Sequence, residues 1–337
     1  MLDMPNTVPP VTTRAALADK RARASAKAIV DFGLFAGLDE KGEALAILPD
    51  AVALKIYMGS TTGDLLVRED DLIQRALVAS AEARRTVVVH AESQACLDSH
   101  ARLAGPDYPS HSAARPPECE ADAIARVARL ARGTGARVHI AHLSSAAGLA
   151  ALPRDFTAEV APHHLLLDAT RLTSGAFKMN PPLRGSPDRS AVMTALLDGR
   201  IACLASDHAP HTGAQKSATD QRRCPSGVPG VQTLVPLMLG AGLPLARVAS
   251  ASTAAARIFG LAGKGALAPG SDADFAAYDL ADVRPVRAHD MASKAGWTPF
   301  EGMPAVFPRH VSVRGLVLVA EGALVDEPPL GREVAIA

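Results

Sequence analysis

Between residues 29 and 206 the chain alternates. Short β-branched or apolar runs are followed by longer alanine-rich amphipathic stretches. Strands are expected at Ile29–Phe35, Ala53–Tyr57, Thr86–His90, Arg137–His142, Thr157–Pro162 and Ile201–Ser206. Helices are expected beside them, for example at Thr13–Lys27, Asp70–Arg84, Glu118–Arg132 and Pro187–Leu197. This rhythm is the signature of a parallel sheet built from βα units. An open doubly wound sheet usually carries a glycine-rich phosphate loop after its first strand, and no GxGxxG or GxxxxGK[ST] occurs here. Most of the runs end in a polar cluster around a His, Lys or Asp, and a parallel barrel keeps its chemistry at the C-terminal ends of its strands. The pattern therefore favours an α/β fold of the (β/α)8 TIM-type barrel.

Six strands are two short of a closed eight-stranded barrel. Met1–Asn6 looks like the tail of a strand already in progress, so the first strands are expected to be missing or truncated at the N-terminus. From Gly263 the texture changes. The turn-rich segment Gly265–Asp274 runs into a short strand at Phe275–Tyr278, and Val311–Val319 with Gly322–Val325 reads as a hairpin around Ala320-Glu321. Residues 1–262 are thus expected to form the barrel and 263–337 the C-terminal part of a small β-rich side domain.

The bulk numbers narrow the class of function. Hydrophobic residues make up 48% of the 337, enough for a barrel-sized core. Lys+Arg and Asp+Glu each number 35, which gives no reason to expect nucleic acid or an anionic membrane as partner. No run reaches the ~18 apolar residues of a membrane helix, and the first residues do not form a signal peptide. The expectation is a cytoplasmic enzyme with a small-molecule substrate. Cys96, Cys119, Cys203 and Cys224 show no CxxC spacing, which favours reduced thiols.

The strand ends supply the chemistry. Lys55 lies inside the apolar strand Ala53–Tyr57, where an ammonium is costly to bury. It either snorkels to the rim or has a lowered pKa and captures CO₂ as a carbamate able to bridge two cations. His90, His142 and Asp207 close three other strands. One histidine at a strand end is more often a satisfied polar residue than a ligand. A lysine, two histidines and an aspartate on four strand ends suit Zn²⁺ or a similar divalent ion. His139 sits three residues before His142, which in a regular strand places it on the opposite face, towards the helices. His163, His164 and His208 receive no assignment.

Six blocks occur in order along the chain: Asp3-Met4-Pro5-Asn6-Thr7, Lys55-Ile56-Tyr57-Met58-Gly59-Ser60, Met179-Asn180-Pro181-Pro182-Leu183-Arg184, Ser206-Asp207-His208-Ala209-Pro210-His211, Ser226-Gly227-Val228-Pro229-Gly230 and Trp297-Thr298-Pro299-Phe300. Together they resemble the class I dihydroorotases of the amidohydrolase superfamily. The resemblance implies a binuclear zinc site with a carbamylated Lys55 on strand four, His90 on strand five, His142 on strand six and Asp207 on strand eight. It implies that Asp207 also moves the proton, that Asn6, Asn180 and His211 hold the substrate, and that the backbone around Pro229 and Gly230 meets the ring amide. The implied reaction is the reversible closure of N-carbamoyl-L-aspartate to L-dihydroorotate, in pyrimidine biosynthesis. A homodimer is also implied.

The family's HxH pair on strand one would lie upstream of Met4-Pro5-Asn6-Thr7, where only three residues stand. One expected metal position keeps Lys55, His90 and His142, while the other keeps Lys55 and Asp207 alone. The expectation for the chain as it stands is therefore one bound ion or none, and poor or absent turnover. Besides an unrelated open α/β protein, which the C-terminal β segment and the missing phosphate loop disfavour, two alternatives stay open. One is a sister cyclic amidase, an allantoinase or dihydropyrimidinase. The other is a non-catalytic scaffold subunit associated with a transcarbamoylase.

Overall fold

The computed structural model describes residues 1–61, 63, 65–325, 328 and 330–336. Fourteen strands follow in chain order among them: β1 Leu2–Asp3, β2 Gly33–Leu34, β3 Ala36–Gly37, β4 Ala53–Tyr57, β5 Thr86–His90, β6 Val138–Ile140, β7 Thr157–Val160, β8 Cys203–Leu204, β9 Phe275–Tyr278, β10 Arg284–Pro285, β11 Pro304–Ala305, β12 Pro308–Val313, β13 Leu316–Ala320 and β14 Ala323–Leu324.

β3 to β8 form one parallel sheet in sequence order. β1 pairs in parallel with β2, Leu2 opposite Gly33, so the opening residues are a strand, as expected. The expected strand Ile29–Phe35 begins later, at Gly33, and is continued by β3. Asp31 is drawn instead into a cluster of charges described below.

The sheet's two faces follow from residue alternation. Leu54 and Ile56 of β4, Val87 and Val89 of β5, and Ile140 of β6 belong to the main core. They share it with Ile73 and Leu77 of helix Asp70–Glu82, Ile124 and Val127 of helix Pro117–Ala131, and Val192 and Leu196 of helix Ser186–Leu197. The other face points into the barrel. Its floor is a separate cluster of Phe35, Ala53, Val88, Ala141 and Phe259, with Val334 and Ile336 packed against it.

Lys55, Val88, His139 and Thr157 are consecutive partners in register, so they share the interior face. This corrects the expectation that His139 points towards the helices. β6 ends at Ile140, and His142 adopts a left-handed φ of 38°, so regular alternation cannot be counted back from His142. Inside the barrel His139 Nε2 meets Glu159 at 3.1 Å, Nδ1 meets Thr157 Oγ1 at 2.8 Å, and the ring lies edge-on to Phe259.

β9, β12, β13 and β14 form a four-stranded antiparallel sheet. The expected strand Val311–Val319 is two strands. Arg314 and Gly315, with φ of 50° and 81°, turn the chain between them. This is the two-residue hairpin geometry that requires positive φ at both positions. The expected turn at Ala320-Glu321 is present between β13 and β14. Residues 284–307 return to the barrel, where Val286, Phe300 and Ala305 enter the main core.

The cysteine expectation is also corrected for one pair. Cys96, on helix Gln94–His100, and Cys119, on helix Pro117–Ala131, form a disulfide with Cα atoms 5.3 Å apart. Their proximity comes from helix packing, which linear spacing does not report. Cys203 and Cys224 are free and buried. Among the described residues no helix is long and apolar enough to cross a membrane.

Candidate functional site

Lys55, at the middle of β4, is 2% exposed. Its Nζ lies 5.2 Å from the Tyr57 ring centroid. Burial lowers its pKa to about 8, against the opposing pull of Glu159 and Asp207. Snorkelling to solvent does not occur. The amine is held inside, close to the range in which it loses its charge.

His90 ends β5, opposite Tyr57. Its Nε2 meets Glu92 Oε2 at 2.9 Å, and Arg115 clamps both oxygens of Glu92, with Nε at 3.1 Å and a terminal nitrogen at 2.5 Å. Burial would raise the Glu92 pKa, but the Arg115 charge and the His90 hydrogen bond outweigh it and hold Glu92 ionised. An ionised Glu92 fixes the His90 proton on Nε2 and leaves Nδ1 as a lone pair, the arrangement by which a carboxylate orients a ligating histidine. That Nδ1 faces His142 Nε2 at 3.0 Å.

His142 is set by the turn after β6. Buried Glu120 accepts from Ser144 N at 2.9 Å, from Ser144 Oγ at 2.9 Å and from Ser145 Oγ, while Arg184 Nε donates to Ser144 Oγ at 3.1 Å. These bonds hold the left-handed backbone at His142, which costs a non-glycine residue free energy. His142 Nδ1 is buried without a hydrogen-bond partner among the described residues. Burial lowers the pKa of both His90 and His142, so both rings are neutral near pH 7. Asp207, just beyond β8, also has a left-handed φ, 45°. Burial raises its carboxyl to about 7, with Lys55 pulling the other way.

Two neutral imidazoles with converging nitrogens and a buried amine of lowered pKa are donor types that suit a divalent cation, but among the described residues Asp207 does not join His90 and His142 in one ligating cluster. His163, unassigned in the sequence reading, stands beside Asp207. It follows β7, its Nε2 lies 3.7 Å from Asp207 Oδ2, and neither ring nitrogen has a hydrogen-bond partner among the described residues. Glu92 and Glu159 likewise carry no sequence assignment. The run Glu159-Val160-Ala161-Pro162-His163-His164 at a strand end is the signal for His163 and Glu159; only the contact with Arg115 distinguishes Glu92 from a surface carboxylate.

Three of the expected substrate residues line two separate cavities, while Asn6 and His211 line neither. Asn180 lines one of about 580 Å³, together with Thr61, Arg115 and Ser226. Its Nδ2 donates to Thr61 Oγ1 at 3.2 Å and its Oδ1 is buried without a partner among the described residues. Pro229 and Gly230 line a second of about 200 Å³ with His208 and Trp297. His208 Nδ1 accepts from Gly230 N at 3.0 Å, which engages that backbone N–H. His211 joins the two regions: its Nε2 meets Ser226 O at 3.0 Å and its carbonyl accepts from Trp297 Nε1 at 2.8 Å. Asn6 lies beyond β1, its Cβ 3.4 Å from where a Cβ on Gly63 would stand. Lys55, His90, His142 and Asp207 line neither cavity.

Residues 67–316 match the family model described as the amidohydrolase family. The chain belongs to the amidohydrolase family. A dihydroorotase of Methanosarcina mazei is 40% identical, the match covering 98% of this chain and 78% of that protein. A dihydroorotase of Halobacterium salinarum is 40% identical over 94% of this chain and 76% of its own length. An allantoinase of Rubrobacter xylanophilus is 33% identical over 99% of this chain and 78% of its own length. Among solved structures, an L-hydantoinase from Arthrobacter aurescens superposes with a TM-score of 0.92 at 27% identity, covering 99% of this chain and 80% of the other. This amidohydrolase is a hydrolase acting on cyclic amides, and its fold is the TIM-type barrel with additional sheets.

Proposed function

We propose that this amidohydrolase is a dihydroorotase, interconverting N-carbamoyl-L-aspartate and L-dihydroorotate, with Lys55, His90, His142 and Asp207 as ligands of a divalent metal, zinc first. The observation that carries the reading is the convergence of His90 Nδ1 and His142 Nε2 beside buried Lys55, with Glu92 and Arg115 fixing the tautomer. A cation held there supplies the positive charge that polarises the ring carbonyl and acidifies water. Carbamylation of Lys55 would add two oxygens to the donor set. Asp207 takes a proton from the attacking water and passes it to the leaving ring nitrogen. His211, Asn6 and Asn180 hold the free carboxylate and ring of the substrate. The backbone at Pro229 and Gly230 faces the ring amide. We read residues 1–262 as the barrel and 263–337 as a side domain that lends 284–307 to the barrel core.

The dihydroorotases at 40% identity support this reading. The allantoinase at 33% identity and the hydantoinase superposition support the second one, a sister cyclic amidase. The test compares ring opening of dihydroorotate and allantoin by the zinc-loaded protein. Dihydroorotate is expected to be preferred in kcat/KM by roughly 100-fold or more. A preference for allantoin replaces the proposal by the second reading. Turnover of neither, with a transcarbamoylase co-purifying, replaces it by the scaffold reading.

A further inference from the structure

The chemistry above leaves two buried cations unused, and both lie under residues 221–230. Lys216 ends the short helix Gly213–Lys216 and is 5% exposed. Its Nζ donates to the carbonyls of Lys178 at 3.0 Å, Pro225 at 2.8 Å and Gly227 at 2.9 Å. Lys178 Nζ donates to the carbonyls of Gln221 at 2.6 Å and Cys224 at 2.7 Å. Neither ammonium has a carboxylate partner among the described residues. An ammonium carries three donors and no acceptor, so three carbonyls saturate Lys216. Carbonyl dipoles pointed at one spot repel one another, and an apolar side chain there would strip Gly227 O of its donor and leave Pro225 O with the Cys224 thiol alone.

The same cation connects to residues proposed to hold substrate. Its Nζ lies 5.8 Å from the ring centroid of Trp297, whose Nε1 donates to His211 O. His211 in turn meets Ser226 O, and Gly227 N donates to Lys178 O at 2.9 Å. The packing is close: a Cβ on Gly175 would stand 2.1 Å from Lys216 O and 2.6 Å from Cys224 Sγ. A shift of Lys216 therefore has no slack to absorb it.

We infer that Lys216 is a positioning residue for the substrate loop, gathering the carbonyls of Lys178, Pro225 and Gly227 so that Ser226, Pro229, Gly230 and His211 stand in the arrangement the substrate meets. It acts through the loop and not on the reacting atoms. The inference rests on the reading that this loop contacts substrate.

The test is Lys216→Met in the full chain loaded with zinc. Amide exchange across 221–230 is expected to quicken by about tenfold or more without substrate. Emission of Trp297, the single tryptophan, is expected to shift. Metal content should stay unchanged, and KM for dihydroorotate should rise about tenfold while kcat stays within about threefold. Unchanged exchange and emission overturn the inference, as does a fall in kcat at constant KM. Should this variant fail to fold, Lys216→Gln, which keeps two donors and loses the charge, takes its place with smaller shifts in the same directions. Exchange and emission are read without substrate. Absent turnover with quickened exchange therefore removes the dihydroorotase reading and leaves Lys216's control of the loop standing.

Discussion

At the scale of single residues, the candidate centre depends on groups that touch the proposed ligands as much as on the ligands. Glu92 orients His90, so Glu92→Gln is expected to weaken metal binding by roughly 10- to 100-fold, measured by competition with a chromogenic chelator. Unchanged affinity would reduce Glu92 to a counterion for Arg115. Asp207→Asn is expected to lower kcat for dihydroorotate by roughly 10²- to 10⁴-fold, because the amide cannot relay a proton. Lys55, His90, His142 and Asp207 were legible in the sequence because a polar residue in or just beyond an apolar strand is conspicuous. His163 and Glu92 were not, since their meaning lies in contacts across strands and helices: Asp207 is 44 residues from His163 in the chain, and Arg115 is 23 from Glu92. His139 was placed on the wrong face for a related reason. Counting by twos assumes a regular strand, and the strand stops at Ile140.

At the scale of elements, hydrophobic periodicity located the barrel strands and helices to within a few residues, because each element buries one face in a shared core. It could not see the turn at Arg314-Gly315 inside an otherwise apolar run, although Arg-Gly between two β-branched stretches is a hairpin signal once positive φ is considered. Nor could spacing reveal the disulfide, which depends on how helices Gln94–His100 and Pro117–Ala131 meet. Thiol titration of the unreduced, unfolded chain should find Cys203 and Cys224 alone; reactivity at all four cysteines would contradict the bridge. Helix Leu234–Gly240 docks on β11 so closely that a Cβ on Gly240 would stand 2.2 Å from Pro304 O. Gly240→Ala is therefore expected to destabilise the protein by about 1–3 kcal/mol, seen as a lower Tm. An unchanged Tm would mean that residues 284–307 are less firmly seated on the barrel.

At the scale of the whole molecule, one charge cluster ties the start of the barrel to the small sheet. Lys264 Nζ meets Asp31 at 2.5 Å, Asp272 at 2.8 Å and Asp274 at 2.6 Å, Arg314 also donates to Asp31, and the terminal amine of Met1 donates to Asp31 O at 2.6 Å. The three carboxylates thus surround an ammonium. Burial would raise the Asp31 pKa, but the hydrogen bonds from Lys264 and Arg314 outweigh it and hold it below the ordinary value. A carboxyl depressed in the folded state stabilises above its unfolded pKa, and that contribution is lost as pH falls through the folded value. Asp31→Asn is expected to cost about 3 kcal/mol at neutral pH and to flatten the loss of stability between ordinary carboxylate pH and stronger acid, followed by denaturant unfolding across pH. An unaltered acid limb would assign the acid sensitivity elsewhere.

All three scales meet at the barrel mouth, where the sheet brings His90, His142 and Lys55 together. The measurement that bears most directly on this is elemental analysis of the purified chain beside its His142→Ala variant, after dialysis against a limiting concentration of zinc. One or more divalent ions per chain, lost in the variant while the fold is retained, is the expected result. A wild-type chain without metal, or a variant that keeps the full complement, would contradict a metal centre built on these residues.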